Sequence, residues 1–282
     1  MTDRRLAVAR TPVTTEAHAV VRRLIDPVLP VGNMLAALRE YPRFIAAWRR
    51  YSRQTGAERL ALSDAYPQLL DRLPTTPYDP HYFHQAVWAT KRILGARPSA
   101  HVDVGSDVTF VGMLSASIPV TFIDIRRLPI ELENFEAAHG DLAKGLPLAN
   151  GSVVSLSCLH VAEHVGLGRY GDAIAVDGTR CACSELGRVL AEGGSLYFSL
   201  PVGRPRVCFN AHRIHAPRQI LDYFPGLELA EFSVVDDEHR LVQDADLDEA
   251  ARLRYGCGLF WFRRGSLSDE PVASGAPSRA AD

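Results

Sequence analysis

Residues 99–126 contain two apolar, strand-like runs joined by a glycine turn. The first run, Ala100 to Val104, alternates small and β-branched residues and stops at Gly105, where a backbone without a Cβ can turn tightly and approach a ligand. The second run ends on Asp124, 19 positions after Gly105. In dinucleotide-binding folds an acidic side chain roughly 20 residues after such a glycine meets a ribose hydroxyl. The pattern therefore predicts a Rossmann-like sheet that presents Asp124 to a nucleoside.

The glycines of this segment differ from those of a dinucleotide-binding loop. Gly112 is the next glycine after Gly105, so the G-x-G-x-x-G pattern that cradles a pyrophosphate is absent. The single glycine turn followed by an acid fits a nucleoside without phosphates. The expected ligand is S-adenosylmethionine (SAM).

Charge and hydropathy narrow the expected partners. With 31 basic and 33 acidic residues the net charge is −2, which gives no electrostatic basis for binding nucleic acid. No apolar run approaches the ~20 residues of a membrane span, and the first residues lack the apolar core of a secretory signal. We therefore expect a cytoplasmic protein with a small-molecule substrate, without nucleic-acid or membrane partners. Whether it forms a homodimer is left open.

The chain is predicted to have three parts. Residues 1–95 show apolar periodicity of helical type and are expected to form a helical lid, interrupted by a loop with four prolines between Pro67 and Pro80. Residues 96–265 are expected to form the SAM-binding Rossmann-like domain. Residues 266–282, rich in Ser, Ala, Gly and Pro, are expected to be disordered. The helical patterns lie at residues 17–25, 34–38, 44–51 and 86–94.

Strands and helices alternate between residues 100 and 264, which predicts an α/β fold with a mostly parallel sheet. Gly193 and Gly194 are expected to end the third helix of this region. Strands are predicted at residues 100–104, 119–124, 137–140, 152–158, 194–200, 227–235 and 257–263. Helices are predicted at residues 107–116, 128–135, 178–191 and 216–223.

The cysteines predict neither a disulfide framework nor a structural metal. Their number is odd, and they form no paired C-x-x-C motifs. We expect all of them to be buried thiols. They are Cys158, Cys181, Cys183, Cys208 and Cys257.

Two longer segments carry a family resemblance. GDLAKGLPLANGSVVSLSCLHVAEHV (residues 140–165) and SELGRVLAEGGSLYFSLPVG (residues 184–203) resemble class I SAM-dependent methyltransferases. HVDVGS, FIDIR, SCLHVAEHVGLGRYGD and PVGRPRVCFNAHRIH are similar to a bacterial branch of that fold catalogued as a domain of unknown function. The resemblance spans residues 99–264, and elements at 66–71 and 79–88 also match. It implies a Rossmann-like class I methyltransferase sheet.

The resemblance also implies roles for individual residues. Asp103 and Gly105 would form the turn beside SAM, Asp124 would accept hydrogen bonds from the ribose, and Asp141 would lie near the adenine. His160 would lie where the methyl donor meets the acceptor. The first loop departs from the family pattern, because the usual three glycines are reduced to Gly105 and Gly112. Further cofactor contacts are expected from Ser106, Phe110, Leu142, Cys158 and Leu159.

Two loops offer candidate catalytic and substrate-binding residues. In GLGRYGD, the ring of Tyr170 could face the sulfonium through a cation–π contact worth on the order of 1 to 2 kcal/mol, or it could pack under the loop beside Arg169. In FNAHRIH, Arg213 could clamp a carboxylate, and His212 or His160 could act as the base. Asn210 and His212 could instead satisfy backbone groups of a long loop. Tyr82 is a further candidate substrate contact.

These residues predict a small-molecule methyltransferase in which the methyl group moves by in-line displacement at the sulfonium. An alternative in the same fold is cyclisation of SAM to azetidine-2-carboxylate with release of methylthioadenosine. A SAM-binding protein without catalysis is another. HVAEH, residues 160–164, also matches the H-x-x-E-H signature of zinc hydrolases. That chemistry requires a regular helix, whereas this segment lies between a strand and two glycines, so no metal is expected there.

Overall fold

The computed structural model describes residues 31–265, and the chain divides into two units between Pro77 and Tyr78. In the first unit, helix α1 spans Val31–Ser52 and a 3-10 turn spans Leu62–Asp64. The two helical patterns predicted at residues 34–38 and 44–51 form this single helix. The predicted helix at 17–25 and the predicted disordered tail lie outside the described residues.

The second unit is built on an eight-stranded sheet with the order β3-β2-β1-β4-β5-β10-β8-β9. Strands β3, β2, β1, β4 and β5 are parallel, and β10 runs antiparallel to both β5 and β8. This confirms the predicted Rossmann-like α/β class. The strands are β1 His101–Val104, β2 Val120–Asp124, β3 Phe135–His139, β4 Val153–Leu159, β5 Leu190–Val202, β6 Arg206–Cys208, β7 His212–Ile214, β8 Leu227–Val235, β9 Leu241–Val242 and β10 Gly256–Arg264.

Helices cover both faces of this sheet, and each face has its own apolar core. The helices of the second unit are α2 Pro80–Ala96, α3 Val108–Ser115, α4 Gly178–Val189, α5 Pro217–Tyr223 and α6 Leu247–Ala250. On one face Trp88 of α2 and Val111 of α3 pack in one cluster. On the other face Leu186 of α4 and Ile220 of α5 pack in a second cluster. The central parallel strands β1, β2, β4 and β5 are therefore largely buried on both sides, whereas the edge strand β3 is mostly exposed.

Polar contacts fix helix α2 on the sheet. Nε1 of Trp88 donates to Oε1 of Glu231 at 3.0 Å, and Nε of Arg92 donates to Oε2 of Glu231 at 2.7 Å. One turn earlier, Oε1 of Gln85 accepts from Oγ of Ser199 at 2.6 Å. Asp79 caps the helix by accepting from the backbone N of Tyr82 at 3.1 Å. These contacts hold the first turn of α2 over the end of strand β4.

Two helix predictions are wrong, one in the existence of the helix and one in its end. Residues 128–134 are irregular and form no helix, because Phe135 pairs with Val120 of β2 and Asn134 before it takes a left-handed φ of 57°. Helix α4 ends at Val189, before the two glycines, because Leu190 already pairs with Val153 of β4. Gly193 and Gly194 lie in the irregular part of β5, where its register with β4 shifts.

The structure also corrects the prediction that every cysteine is buried. Cys158, Cys183 and Cys257 are buried, but Cys181 is exposed on α4 and Cys208 is half-buried. Cys181 and Cys183 face different sides of the helix, as their spacing of two predicts. Within residues 31–265, the helices are all too short or too polar to cross a membrane.

Candidate active site

A cleft opens where strands β1, β2 and β4 end. Gly105 follows β1 with a φ of 70°, and its backbone N donates to the carbonyl of Ile123 at 2.9 Å. Asp124 ends β2 beside it. The cleft consists of two adjoining cavities of about 80 and 480 Å³, which share Gly105, Asp124, Arg126, His160 and Tyr170. The carboxyl edge of a parallel sheet is where this architecture binds ligands.

The carboxylate of Asp124 keeps one oxygen available. Its Oδ1 accepts from the backbone N of Arg126 at 2.6 Å and from Nε of Arg126 at 3.1 Å. Its Oδ2 has a longer contact, 3.5 Å, with Nη2 of Arg126. A Cβ placed on Gly105 would lie 3.6 Å from this Oδ2. Oδ2 is therefore the atom best placed to accept a ligand hydroxyl.

Substituting alanine for Gly105 is expected to impair both folding and ligand binding. The left-handed φ would cost about 1 to 2 kcal/mol, and the new Cβ would lie 3.0 and 3.3 Å from the two methyl groups of Val161. Chemical denaturation measures the first effect and calorimetric titration with SAM the second. Gly112→Ala is the control. Gly112 lies inside helix α3 and an added Cβ there meets open space, so this substitution should stabilise the protein slightly. Equal stability and SAM affinity in Gly105→Ala and wild type would contradict this account of the turn.

A buried hydrogen-bond network lies beneath the glycine turn and joins β1 to β4. Oγ of Ser157 and Oγ of Ser106 both donate to Oδ2 of Asp103, the latter at 2.6 Å. Oγ of Ser106 in turn accepts from the backbone N of Leu159 at 2.9 Å. His101 links Ser157 to a further serine on β4, with 2.8 Å between its Nε2 and Oγ of Ser157. Asp103 therefore positions the turn from below and does not line the cleft.

The pH dependence of stability is expected to report on Asp103. Burial raises the pKa of this carboxyl from 3.8 to about 6 in the folded protein, against the lowering effect of its hydrogen bonds. A raised carboxyl pKa favours folding at low pH, so this contribution is lost as the pH rises from about 4 to 6. The free energy of unfolding of the wild type, relative to that of Asp103→Asn, should therefore fall as the pH rises over this range and stay constant above it. Urea denaturation across the range, with Asp222→Asn as a surface control, measures the shift; a constant difference would contradict it.

His160 has an unusual backbone and an unusual ring environment. Its φ is 57°, a left-handed value that is costly outside glycine and is most often retained at functional sites. Its backbone N donates to the carbonyl of Ser199 at 2.9 Å, which fixes this conformation. Its Nδ1 donates to Oε1 of the fully buried Glu163 at 2.7 Å. Its Nε2 is buried and has no hydrogen-bond partner among residues 31–265.

The charges around His160 are strongly coupled. Burial by itself would lower the pKa of His160, but Cys257 and Glu163 outweigh it and raise that pKa to about 10. Burial would raise the pKa of Glu163, but His160 keeps it below its usual range. In the absence of another cation, the two form an ion pair at neutral pH. A buried pair of this kind is sensitive to the loss of either partner.

Aromatic rings surround His160 and the neighbouring loop. Tyr82 and His81, from the first turn of α2, each stack near the ring of His160, with centroids 5.4 Å apart in both cases. The ring of Tyr170 is approached by the guanidinium carbons of Arg126 at 4.6 Å and of Arg169 at 5.1 Å. Tyr170 lines both cleft cavities, so the structure does not bury it under its loop.

A third cavity of about 220 Å³ lies on the other side of His160 and Tyr82, which also line the cleft. It is rich in imidazole and guanidinium groups. Burial lowers the pKa of its half-buried His212 below the usual range, so that ring is neutral at pH 7. The basic side chains that line this cavity are His81, His160, His164, Arg169, His212, His239 and Arg254.

Apart from Asp103 and Arg213, the predicted site residues have four different placements in the structure. Those that line the cleft are Tyr82, Gly105, Ser106, Asp124, Asp141, Leu142, Leu159, His160 and Tyr170. Arg169 and His212 line the third cavity. Phe110 and Cys158 are buried in the two apolar clusters, and Asn210 is exposed between β6 and β7.

Arg213 has a positioning role in the structure. Its Nη1 donates to the carbonyl of Val165 at 2.5 Å, and its Nη2 donates to the carbonyl of Ala175 at 2.7 Å. The guanidinium thus closes the loop that carries Arg169 and Tyr170. Arg213 lines neither the cleft cavities nor the cavity beside His212, so the structure does not present it as a carboxylate clamp.

The HVAEH segment lacks the geometry of the zinc-hydrolase signature. Only a 3-10 turn, Ala162–His164, forms here. Nδ1 of His164 donates to the carbonyl of Ala211 at 2.6 Å, and Glu163 lies between the two histidines. The two imidazoles are therefore not presented on one face of a regular helix.

Several residues around His160 were missed in the sequence analysis: His81, Glu163, Tyr255 and Cys257. For His81 a signal exists, because Asp79 and Pro80 are the cap and first residue that begin a helix. This signature places His81 and Tyr82 on one first turn. No comparable local signal brings Cys257 to His160, since nearly a hundred positions separate them.

Part of the chain matches a known protein family. A family model described as a Caenorhabditis protein of unknown function, DUF268, matches residues 137–255. This span contains the HVAEH and FNAHR segments and extends from β3 to the residue before β10. No curated protein matches the chain.

Several solved structures are similar to this chain. The [4+2]-cyclase SpnF is 14% identical, with a TM-score of 0.48, over 65% of this chain and 81% of that protein. The N-methyltransferase NodS from Bradyrhizobium japonicum WM9, in complex with S-adenosyl-L-homocysteine, is 15% identical, with a TM-score of 0.47, over 78% and 97%. A methyltransferase-like protein from Bacillus halodurans C-125 is 14% identical, with a TM-score of 0.45, over 64% and 99%. At these values the likenesses assign no activity to the chain.

Proposed function

We propose that this protein is a SAM-dependent methyltransferase that acts on a small molecule. One observation carries the proposal: the cleft at Gly105 and Asp124 shares His160 and Tyr82 with a separate polar cavity next to it. This arrangement gives a nucleoside site and an acceptor site that meet at His160.

The cleft residues fit an adenosine with a sulfonium substituent. Oδ2 of Asp124 is available to the ribose hydroxyls, and the missing Cβ of Gly105 leaves room beside it. Leu142 and Asp141 line the smaller cavity, where an apolar surface and a hydrogen-bonding group suit a purine. Tyr170 offers an aromatic ring to the positive sulfur. Bound SAM would supply an electrophilic methyl group.

The chain's own contribution to the reaction is positioning and proton removal. Tyr82 and His160 separate the two sites and would align an acceptor atom with the donor. His212 is neutral at pH 7 and lies in the acceptor cavity, so it is the better base. His160 is held by Glu163 and has a raised pKa, so it suits orientation better than proton removal.

Cyclisation of SAM to azetidine-2-carboxylate is the second candidate. It is favoured by the presence of Tyr82 and Tyr170 in the larger cleft cavity, where two rings could surround a sulfonium without any acceptor. The third cavity argues for transfer to a separate molecule, because cyclisation needs no second site.

Incubation with SAM alone, followed by mass spectrometry, separates these functions. We expect SAM to remain intact until an acceptor is added from a set of small phenols, amines, thiols and carboxylates, and S-adenosylhomocysteine to appear with the methylated acceptor. Methylthioadenosine together with azetidine-2-carboxylate would overturn the methyltransferase proposal in favour of cyclisation. Binding of SAM with no turnover across the acceptor set would favour a SAM-binding protein without catalysis.

A further inference from the structure

Three side chains with metal-binding atoms converge beside the third cavity. His81 comes from the first turn of α2, His160 follows β4, and Cys257 belongs to β10. One nitrogen or sulfur atom of each lies within 4.8 Å of the corresponding atoms of the other two, and all three residues are buried.

The hydrogen bonding of His160 points into this cluster. Because Nδ1 donates to Glu163, the remaining ring nitrogen is Nε2, and this atom is buried without a hydrogen-bond partner in the described part of the chain. The side chain of His160 is only 5% exposed. Metal-binding histidines usually donate their second ring nitrogen to a carboxylate, which fixes the tautomer and orients the ring. Glu163 fills that role here.

The other two side chains are also suited to a metal ion. The ring of His81 is buried and stacks near that of His160, with centroids 5.4 Å apart, so it lies beside the unpartnered Nε2. The sulfur of Cys257 has a long contact, 4.0 Å, with the carbonyl of Gly258. This distance leaves the thiol without a strong competing partner in its own strand.

The charges of the cluster are compatible with a divalent ion. With zinc bound, a Cys257 thiolate and the carboxylate of Glu163 would carry two negative charges among buried residues, and the dication would neutralise them with both imidazoles neutral. Two imidazoles and one thiolate are ligands that zinc accepts, with a fourth position left open in catalytic sites.

We propose that His81, His160 and Cys257 bind one zinc ion whose open position faces the third cavity. The proposal does not depend on SAM binding, and it shares only His160 with the rejected ligand pair of the HVAEH signature. His164 is outside the set because its ring nitrogens do not belong to the group of ligand atoms that lie within 4.8 Å of one another. An ion here would bind an oxygen or sulfur atom of a molecule in the third cavity and lower the pKa of that group.

Metal titration of the full-length protein tests this site. The protein, stripped with a chelator, is titrated with Zn²⁺ and with Co²⁺, and bound metal is measured by mass spectrometry. We expect one equivalent per chain and, with Co²⁺, a thiolate-to-cobalt charge-transfer band. Cys257→Ser should lose the band, and His81→Gln should lose most of the affinity. The matched controls Cys181→Ser and His139→Gln, both at exposed positions, should bind as wild type does.

Several outcomes would overturn the proposal. They are binding of less than half an equivalent to the wild type, a charge-transfer band that persists in Cys257→Ser, and affinity that is unchanged in His81→Gln. Loss of metal in His164→Gln with retention in His81→Gln would place the ion on the HVAEH segment instead. Circular dichroism checks folding, and His81→Gln keeps the test decisive if Cys257→Ser does not fold. SAM affinity, measured on the same variants, reports separately on the proposed function.

Discussion

Replacing Asp124 by alanine is expected to weaken SAM binding by about 100-fold or more. The carboxylate ends β2 beside Gly105, and its Oδ2 is the atom available to ribose hydroxyls. Hydrogen bonds to a charged group contribute about 1.5 to 3 kcal/mol each, and 100-fold corresponds to about 2.7 kcal/mol, so loss of one or two such bonds accounts for the effect. Isothermal titration calorimetry with SAM measures it directly.

Two further variants make this test specific. Asp124→Asn keeps an oxygen acceptor without the charge and should lose less affinity than Asp124→Ala. Asp222→Asn removes an exposed carboxyl on α5, away from the cleft, and should bind SAM as wild type does. Stability should fall only modestly in Asp124→Ala, by about 1 to 2 kcal/mol, because the variant loses the hydrogen bond from the backbone N of Arg126. The ion pair adds little, since the side chain of Arg126 is 62% exposed. Unchanged SAM affinity in a folded Asp124→Ala protein would refute the site assignment.

The second large effect is expected from Gly178→Ala, which should lower the free energy of unfolding by about 3 kcal/mol or more. Gly178 begins helix α4, and a Cβ there would lie 2.0 Å from the carbonyl oxygen of Val165 and 2.9 Å from the backbone N of Gly166. These are backbone atoms, so no side chain can move aside to make room. The helix and the loop would have to separate. Denaturation in urea, followed by circular dichroism, measures the loss.

Gly187 provides the matched control, since it lies in the same helix and a Cβ there meets open space. Gly187→Ala should stabilise the protein by about 0.5 to 1 kcal/mol, because alanine restricts the unfolded chain and suits a helix interior. The opposite signs of the two substitutions separate steric contact from helix propensity. Equal effects in both variants would contradict the close approach of Gly178 to Val165.

The same contact links stability to the site. The loop between Val165 and the start of α4 carries Arg169 and Tyr170, and it is closed by Arg213 at Val165 and Ala175. Asp172 folds it further by accepting from the backbone N of Gly166 at 2.7 Å. A displaced α4 would therefore also move Tyr170 in the cleft. We expect Gly178→Ala to weaken SAM binding even at temperatures where the protein stays folded.

The cleft was predictable because it is built from short, local patterns. A β-branched run, one glycine and a second run ending on an acid specify two adjacent parallel strands, and the carboxyl ends of such strands meet at one edge. Gly105 and Asp124 could thus be paired from sequence alone. The predicted helix at 128–135 is wrong for a different reason: Phe135 pairs with Val120 of β2, and apolar periodicity does not register a pairing between strands.

The role of Arg213 was not predictable in the same way. Its sequence neighbourhood, rich in histidines and close to a strand end, suggests a ligand contact equally well. Its hydrogen bonds are made to Val165 and Ala175, nearly 40 or more positions earlier, and backbone carbonyls carry no sequence signature. Asp103 illustrates the same point: only the packing of β1 on β4 turns its carboxylate inward to Ser157.

By itself, the sequence determined the parallel sheet, the glycine turn and the acid at the end of β2, because these depend on periodicity and spacing within about 25 residues. Tertiary structure alone decided what surrounds His160. His81, Glu163 and Cys257 reach it from a helix, a 3-10 turn and an antiparallel strand. Burial lowers the pKa of His81 to about 4, whereas the charges beside His160 outweigh burial and raise its pKa to about 10. Electrostatic coupling depends on distance in space and on exclusion of water, and neither is encoded in any one segment of the chain.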